Sequence, residues 1–331
     1  RIAIVKLSAL GDIVHAMVVL QLIKKYNNVI SIDWIVEENY KELLENHPEI
    51  NNVHVINLKK AKYRKSIFTL FNELIKVRQL GYYDLVIDMQ GLIKSAIVSK
   101  MIPSRLTIGF DRLSSRERLS SLFYNKRLKY GYDKNVIDRN VSLVEFAIGM
   151  NVKEHDIESK NPFLVSSEKY LTSNLSRIKK NVLIIPGASD KSKCYPILNL
   201  AKLIELIDTN VLIIWGNEKE KMMANQIKII APKVNVCDKL SIDSLISLIS
   251  QMDLVIGPDT GPTHMAWGLN IPSITIFGPT PGYRNSYITK INRIIESKSK
   301  VNPFKIDRYD HSIGEVEVED ILKIANDLLH Q

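Results

Sequence analysis

Short β-branched runs alternate along this chain with stretches of helical spacing. In the first half the runs are IAIV, SIDWIV, VHVI, DLVID and RLTIG; in the second they are NVLIIP, VLIIWG, VNVC, DLVIG and SITIFG. Between them apolar residues recur three or four apart, as at Leu70, Leu74 and Val77 in LFNELIKVRQLG. Strand, helix, strand in repetition predicts a parallel sheet with helices on both faces. The set occurs twice, and the two sets are separated by NVKEHDIESKNP, residues 151–162, a polar stretch without a period. The pattern therefore predicts an α/β chain of two doubly wound domains, 1–160 and 161–331, facing each other across a cleft. Ligands of such sheets bind at the carboxyl ends of strands, near the point where strand order reverses.

Composition fits this picture. A chain of 331 residues that is 45% hydrophobic and 24% charged fills two cores and is not disordered. The two cysteines, Cys194 and Cys237, have no metal-ligand spacing and suggest no disulfide framework, so a reducing cytoplasm is expected. No run of about 18 apolar residues is present, and the first residues read as a strand rather than a signal peptide. The net charge of +9 is uneven: residues 1–160 hold 25 Lys+Arg against 18 Asp+Glu, or +7, leaving +2 for the rest. An acidic partner is expected on the first domain.

The second domain carries the clearest chemistry. DLVIGPDTGPTHMAWGLNIPSITIFGPT (253–280) reads as strand, turn, helix, strand, turn. Asp259 and Thr260 stand where the helix begins, with Gly261 and Pro262 in its opening turn and His264 close behind. Free N–H groups at a helix start attract phosphate. Taken alone, Asp259 reads equally as an N-cap and His264 as an ordinary helix residue. A second loop, IIPGASDKSKCYP (184–196), follows the first strand of this domain and offers Ser189, Lys191 and Lys193 to a phosphate. A third strand end, WGNEKE, places Glu220 just inside a helix, where a carboxylate accepts from ribose hydroxyls or simply complements the helix dipole. The three strand ends agree on a nucleoside diphosphate.

The first domain differs. Its opening turn, in IVKLSALGDIVHAM (4–17), has Gly11 alone and then Asp12, a poor neighbour for phosphate. No G-x-G-x-x-G occurs, which argues against a nicotinamide-dependent oxidoreductase. By itself Asp12 reads as a helix N-cap. KKAKYRK (59–65) and RLSSRERLSSLFYNKRLK (112–129) are strongly basic, and Lys94 opens a helix in QGLIKSA. Alone, these segments suit an acidic ligand, a nucleic acid or plain solvent. Tyr63, Phe123 and Tyr124 lie among them, with core packing the plainer reading for Phe123.

DTGPTH…P…FGPT together with KLSALGDIVHAM resembles the heptosyltransferases of lipopolysaccharide core synthesis. DMQGLIKSA (88–96) and LSSLFYNKR (119–127) look most like the type I branch of that family. The resemblance implies the GT-B glycosyltransferase fold and inverting transfer of L-glycero-D-manno-heptose from ADP-heptose to the inner Kdo of Kdo-lipid A. A type II enzyme, or one adding a later heptose, is the alternative; of another class, a non-catalytic protein binding anionic lipid. By resemblance Lys193 contacts the diphosphate with Ser189 beside it, Glu220 the ribose, and Asp259, Thr260, Gly261 and His264 line the heptose and phosphates. Asp12 becomes the general base, and with the nucleotide in the second domain it repels no phosphate. Where the family has a Thr-rich stretch, this chain has Ala188-Ser189, and Ala188 offers no hydroxyl. Lys59, Lys60, Lys62, Arg64, Lys65, Lys94 and Arg116 are expected to meet the Kdo carboxylate and lipid A phosphates. No Asp-x-Asp occurs, so no metal or cofactor is expected. A monomer without nucleic acid, on the cytoplasmic face of the inner membrane, completes the expectation. The last amphipathic stretch, VEVEDILKIANDLL (316–329), is expected to cross back onto the first domain, as the last helix often does in such proteins.

Overall fold

Six strands form the sheet of the N-terminal unit: β1 (Ile2–Val5), β2 (Ile32–Glu37), β3 (Asn52–Ile56), β4 (Tyr83–Asp88), β5 (Ser104–Phe110) and β6 (Lys126–Leu128). Six more form the sheet of the C-terminal unit: β7 (Asn181–Ile184), β8 (Asn210–Ile213), β9 (Asn235–Val236), β10 (Leu254–Pro258), β11 (Ser273–Phe277) and β12 (Asn292–Glu296). The computed structural model describes residues 1–58, 67–167 and 169–330. Its units are Arg1–Lys160 and Asn161–Gln331, and the boundary falls inside the polar 151–162 stretch. That stretch is not featureless: Glu154–Glu158 is a short helix, with Ile157 buried and Asp156 paired to Lys25 at 2.6 Å.

All strand pairs are parallel, in the orders β3-β2-β1-β4-β5-β6 and β12-β11-β10-β7-β8-β9. Counted within each unit, the two orders are the same, and each reverses between the first and fourth strands. Val, Ile and Leu fill the central strands because both sheet faces are covered. In the first unit the Leu10–Tyr26 helix buries Ile13, Met17, Leu20 and Ile23 and packs on the Val136–Ile148 helix. Asn135 caps the latter by accepting from the Ile137 N–H, and Gly149, at φ +74°, ends it in the left-handed conformation glycine favours. The other sheet face is covered by the Ile67–Arg78 and Ile93–Met101 helices, which pack on each other.

The last helix, Val318–Leu329, corrects an expectation. It packs on the Ile197–Leu206 helix of its own unit and buries Val318, Ile321, Ala325, Leu328 and Leu329 in that unit's core. Its apolar face is thereby used within the second unit rather than carried back to the first. The edge strands β6 and β12 also lie outside the sequence expectation. KRL and NRIIE are paired along one side only and carry no continuous apolar run for the pattern to detect.

Candidate active site

The loops after the first and fourth strands of each unit leave at the reversal point where open sheets bind ligands; they lead to Asp12 and Lys94 in the first unit and to Ser189, Lys193, Asp259 and His264 in the second, while Glu220 follows β8 and Arg116 follows β5.

In the second unit the loop after β7 turns on Asp190, whose Oδ1 accepts from the Ser192 N–H (3.2 Å) and hydroxyl (3.0 Å). The resulting 3-10 turn, Lys191–Lys193, carries the Lys193 ammonium to 2.9 Å from Asp259 Oδ2. Asp259 follows β10. The helix behind it, Gly261–Gly268, has Thr260 as its N-cap residue and Pro262 in its first turn. Asp259 is thus not the cap. Its side chain is a buried acceptor for four donors: Lys193, His264 Nε2 (2.9 Å), the Thr280 hydroxyl (3.0 Å) and Asn285 Nδ2 (3.3 Å). Burial alone would raise the Asp259 pKa. The Lys193 ammonium and His264 outweigh that and hold the carboxyl well below the usual range, so it is ionised at neutral pH.

Glu220 stands in the first turn of the Glu218–Ile230 helix, and its carboxylate accepts from the Gly216 N–H at 2.7 Å. Gly187 lies flush against it: a Cβ there would overlap the Glu220 side chain. Ser189 is exposed on the same loop, and Gly261 opens the helix whose Thr260 carbonyl accepts from the His264 N–H (3.2 Å). The structure therefore joins Lys193, Asp259 and His264 directly and sets Glu220 against the β7 loop. Thr280 and Asn285 were not among the sequence candidates. FGPT did flag the first, but PGYRN gives no signal that Asn285 reaches Asp259.

In the first unit Ala9 is the N-cap position of the Leu10–Tyr26 helix and Asp12 its third residue. The exposed Asp12 carboxylate accepts from the Ala9 N–H at 3.2 Å, so the N-cap reading is replaced by a reach back to the cap's own backbone. The neighbouring strand end is heavily tied. Buried Asp88 accepts from the Gln90 N–H (2.8 Å), Gly91 N–H (3.2 Å), Ser95 hydroxyl (2.8 Å) and Tyr124 hydroxyl (2.8 Å). Burial nonetheless pushes its pKa up. Tyr124 is therefore a buried partner of Asp88.

Lys94 lies 3.9 Å from Glu37 at the end of β2. Arg112, Arg116, Arg118, Lys126, Arg127 and Lys129 are all exposed. Lys59, Lys60, Lys62, Tyr63, Arg64 and Lys65 lie outside the described residues. Among the described residues no group of three or more His, Cys, Asp or Glu could hold a metal ion, and no helix is long and apolar enough to cross a membrane.

The family model described as glycosyltransferase family 9 (heptosyltransferase) matches residues 73–309, more than half of the chain. The chain belongs to glycosyltransferase family 9. This family 9 chain is 40% identical to lipopolysaccharide heptosyltransferase 1 of Campylobacter coli over 99% of its own length and 98% of the relative's. To lipopolysaccharide heptosyltransferase 1 of Escherichia coli K12 it is 26% identical, over 87% and 91% of the two chains. Among solved structures, E. coli heptosyltransferase WaaC with ADP superimposes with a TM-score of 0.81 at 22% identity, covering 99% of both chains. A family 9 glycosyltransferase from Veillonella parvula gives 0.82 at 17% identity, covering 100% and 97%. The fold of this family 9 glycosyltransferase is GT-B, as the repeated sheet order implies.

Proposed function

We propose that this enzyme transfers L-glycero-D-manno-heptose from ADP-heptose to the inner Kdo of Kdo-lipid A, with inversion. The observation that carries the reading is the Lys193–Asp259 pair at the reversal point of the second sheet, beside a helix start, in a chain alike over its whole length to lipopolysaccharide heptosyltransferase 1. In this reading the Lys193 ammonium and the N–H groups opening the Gly261–Gly268 helix meet the diphosphate, with the exposed Ser189 hydroxyl as a further donor. Glu220 accepts from the ribose. Asp259 and His264, with Thr260 and Gly261, face the sugar and its phosphate. Asp12 takes the proton of the acceptor hydroxyl as that oxygen bonds the anomeric carbon. The bond from that carbon to the phosphate oxygen breaks, and ADP leaves with its charge met by Lys193 rather than by a metal. Arg116, Lys94 and the basic 59–65 segment meet the carboxylate and phosphates of the acceptor, and the enzyme works as a monomer at the cytoplasmic face of the inner membrane.

The test is release of ADP from ADP-heptose, with Kdo-lipid A expected to support turnover. Turnover only on an acceptor that already carries a heptose would overturn the type I reading. Asp12→Asn should bind ADP-heptose normally while turnover falls by about 10²–10⁴. More than about a tenth of wild-type turnover would remove Asp12 as an essential base.

A further inference from the structure

The backbone ladder between β1 and β4 ends at Val5 and Asp88, with one more bond from the Met89 N–H to the Val5 carbonyl (3.1 Å). Beyond it the chain must still hold Leu7 and Ser8, which lead into the helix that presents Asp12. On one side the Glu37 N–H donates to the Leu7 carbonyl (3.2 Å). On the other side a side chain does the work of a strand. Gln90 Oε1 accepts from the Leu7 N–H (2.7 Å) and the Ser8 N–H (3.2 Å), and Gln90 Nε2 donates to the Ser8 carbonyl (2.7 Å) and hydroxyl oxygen (3.3 Å). A primary amide carries an acceptor and donors like those of a peptide unit, so it can stand in for a neighbouring strand. Gln90 is itself anchored, through its N–H, on buried Asp88.

We propose that Gln90 is a positioning residue for Asp12, fixing the Ser8 backbone so that the Ala9 N–H holds the Asp12 carboxylate in place. The proposal rests on Asp12 being the base. The connection is short: Gln90 to Ser8, Ser8 to Ala9, and the Ala9 N–H to Asp12 Oδ2 at 3.2 Å. Three polar groups of Ser8 meet the one amide. Gln90→Met removes all four bonds at similar length. Gln90→Glu keeps an acceptor for the two N–H groups but sets a second acceptor against the Ser8 carbonyl, so that loop must move. Misplacement of a reacting group by about 1 Å costs on the order of 10²-fold in rate.

The experiment measures turnover at saturating ADP-heptose and Kdo-lipid A, together with the acceptor KM, for Gln90→Met, Gln90→Glu, Asp12→Asn and Gln90→Met/Asp12→Asn. Both Gln90 variants should lose about 10–10²-fold in kcat with little change in KM. On the Asp12→Asn background Gln90→Met should cost almost nothing more, because residues acting through one group are non-additive. An equal further loss on that background would show a role independent of Asp12 and overturn the proposal, as would a rise in acceptor KM matching the fall in kcat. Normal turnover of Gln90→Met beside a slow Asp12→Asn would remove Gln90 alone. Normal turnover of Asp12→Asn would remove the base, and this role with it.

Discussion

Replacing Lys193 by Met should cost stability as well as donor binding, and the structure gives the size. The side chains of Lys193 and Asp259 are 14% and 10% exposed, so the pair is largely desolvated. Removing one partner of a buried pair costs about 3–5 kcal/mol, because the other charge stays buried without its compensation. Asp259 keeps His264, Thr280 and Asn285, which argues for the lower end, about 3 kcal/mol. For a unit of this size 1 kcal/mol moves the melting temperature by about 2–4 °C, so a fall of about 6–12 °C is expected. Asp259→Asn should cost a similar amount, and Lys193→Met/Asp259→Asn less than the sum, since the double change leaves no orphaned charge. The sign with pH follows. Unfolded, Asp259 binds a proton near pH 4; folded, it binds one only well below that. Its contribution is present in full above about pH 4 and is lost as the pH falls further. Lys193→Met raises the folded-state value and flattens that acid loss. Asp33, which burial would raise but which hydrogen bonds from His54, Tyr83, Asn52 and Arg1 hold low, adds the same acid slope to both proteins and cancels in the comparison. Calorimetric melting between pH 3 and pH 7 on the three variants is the assay. A melting temperature within about 2 °C of wild type for Lys193→Met, or additive single effects, would refute the buried-pair argument.

Exposed Arg116 should act on the acceptor alone: Arg116→Ala is expected to raise the Kdo-lipid A KM and leave the ADP-heptose KM unchanged, with added salt mimicking the change in wild type. An acceptor KM indifferent to both would make it mere surface. Gly187→Ala should displace Glu220 and weaken ADP by about 10-fold, the order of one charge-assisted hydrogen bond, while inorganic pyrophosphate binds as before. Equal weakening of both ligands would contradict a ribose contact by Glu220.

The strands of both sheets were legible because their Val and Ile runs answer to burial on two faces, a property of each segment by itself. The edge strands β3 and β9 were legible in VHVI and VNVC, but β6 and β12 were not, since KRL and NRIIE set charged residues among too few apolar ones for a run to show. Asp259 shows a divide within the site. The sequence places it at a helix start beside loops read as phosphate-binding, but its four donors come from three stretches of chain, at 193, 264 and 280–285, and only folding brings Lys193 and Asn285 to it. The first-unit turn was misread by three residues. Asp12 looked like a cap, whereas the cap position falls to Ala9, whose side chain has nothing to offer, and the acid three residues on supplies the acceptor. Direction was the error for the last helix: an amphipathic face announces that it will be buried but does not say against what.

That helix has a consequence for the order in which the chain becomes structured during synthesis. The first unit is complete by Lys160, whereas the second core still needs Leu328 and Leu329. At about 5–20 residues per second, the residues between them take roughly 10–30 s to make. Throughout that interval the first unit can already be folded on the ribosome, while β10 and β11 still lack the last helix that packs on them. The second unit is then the natural client for a chaperone, and a stall late in translation would leave a nascent chain with a finished first unit and a sticky, unfinished second one.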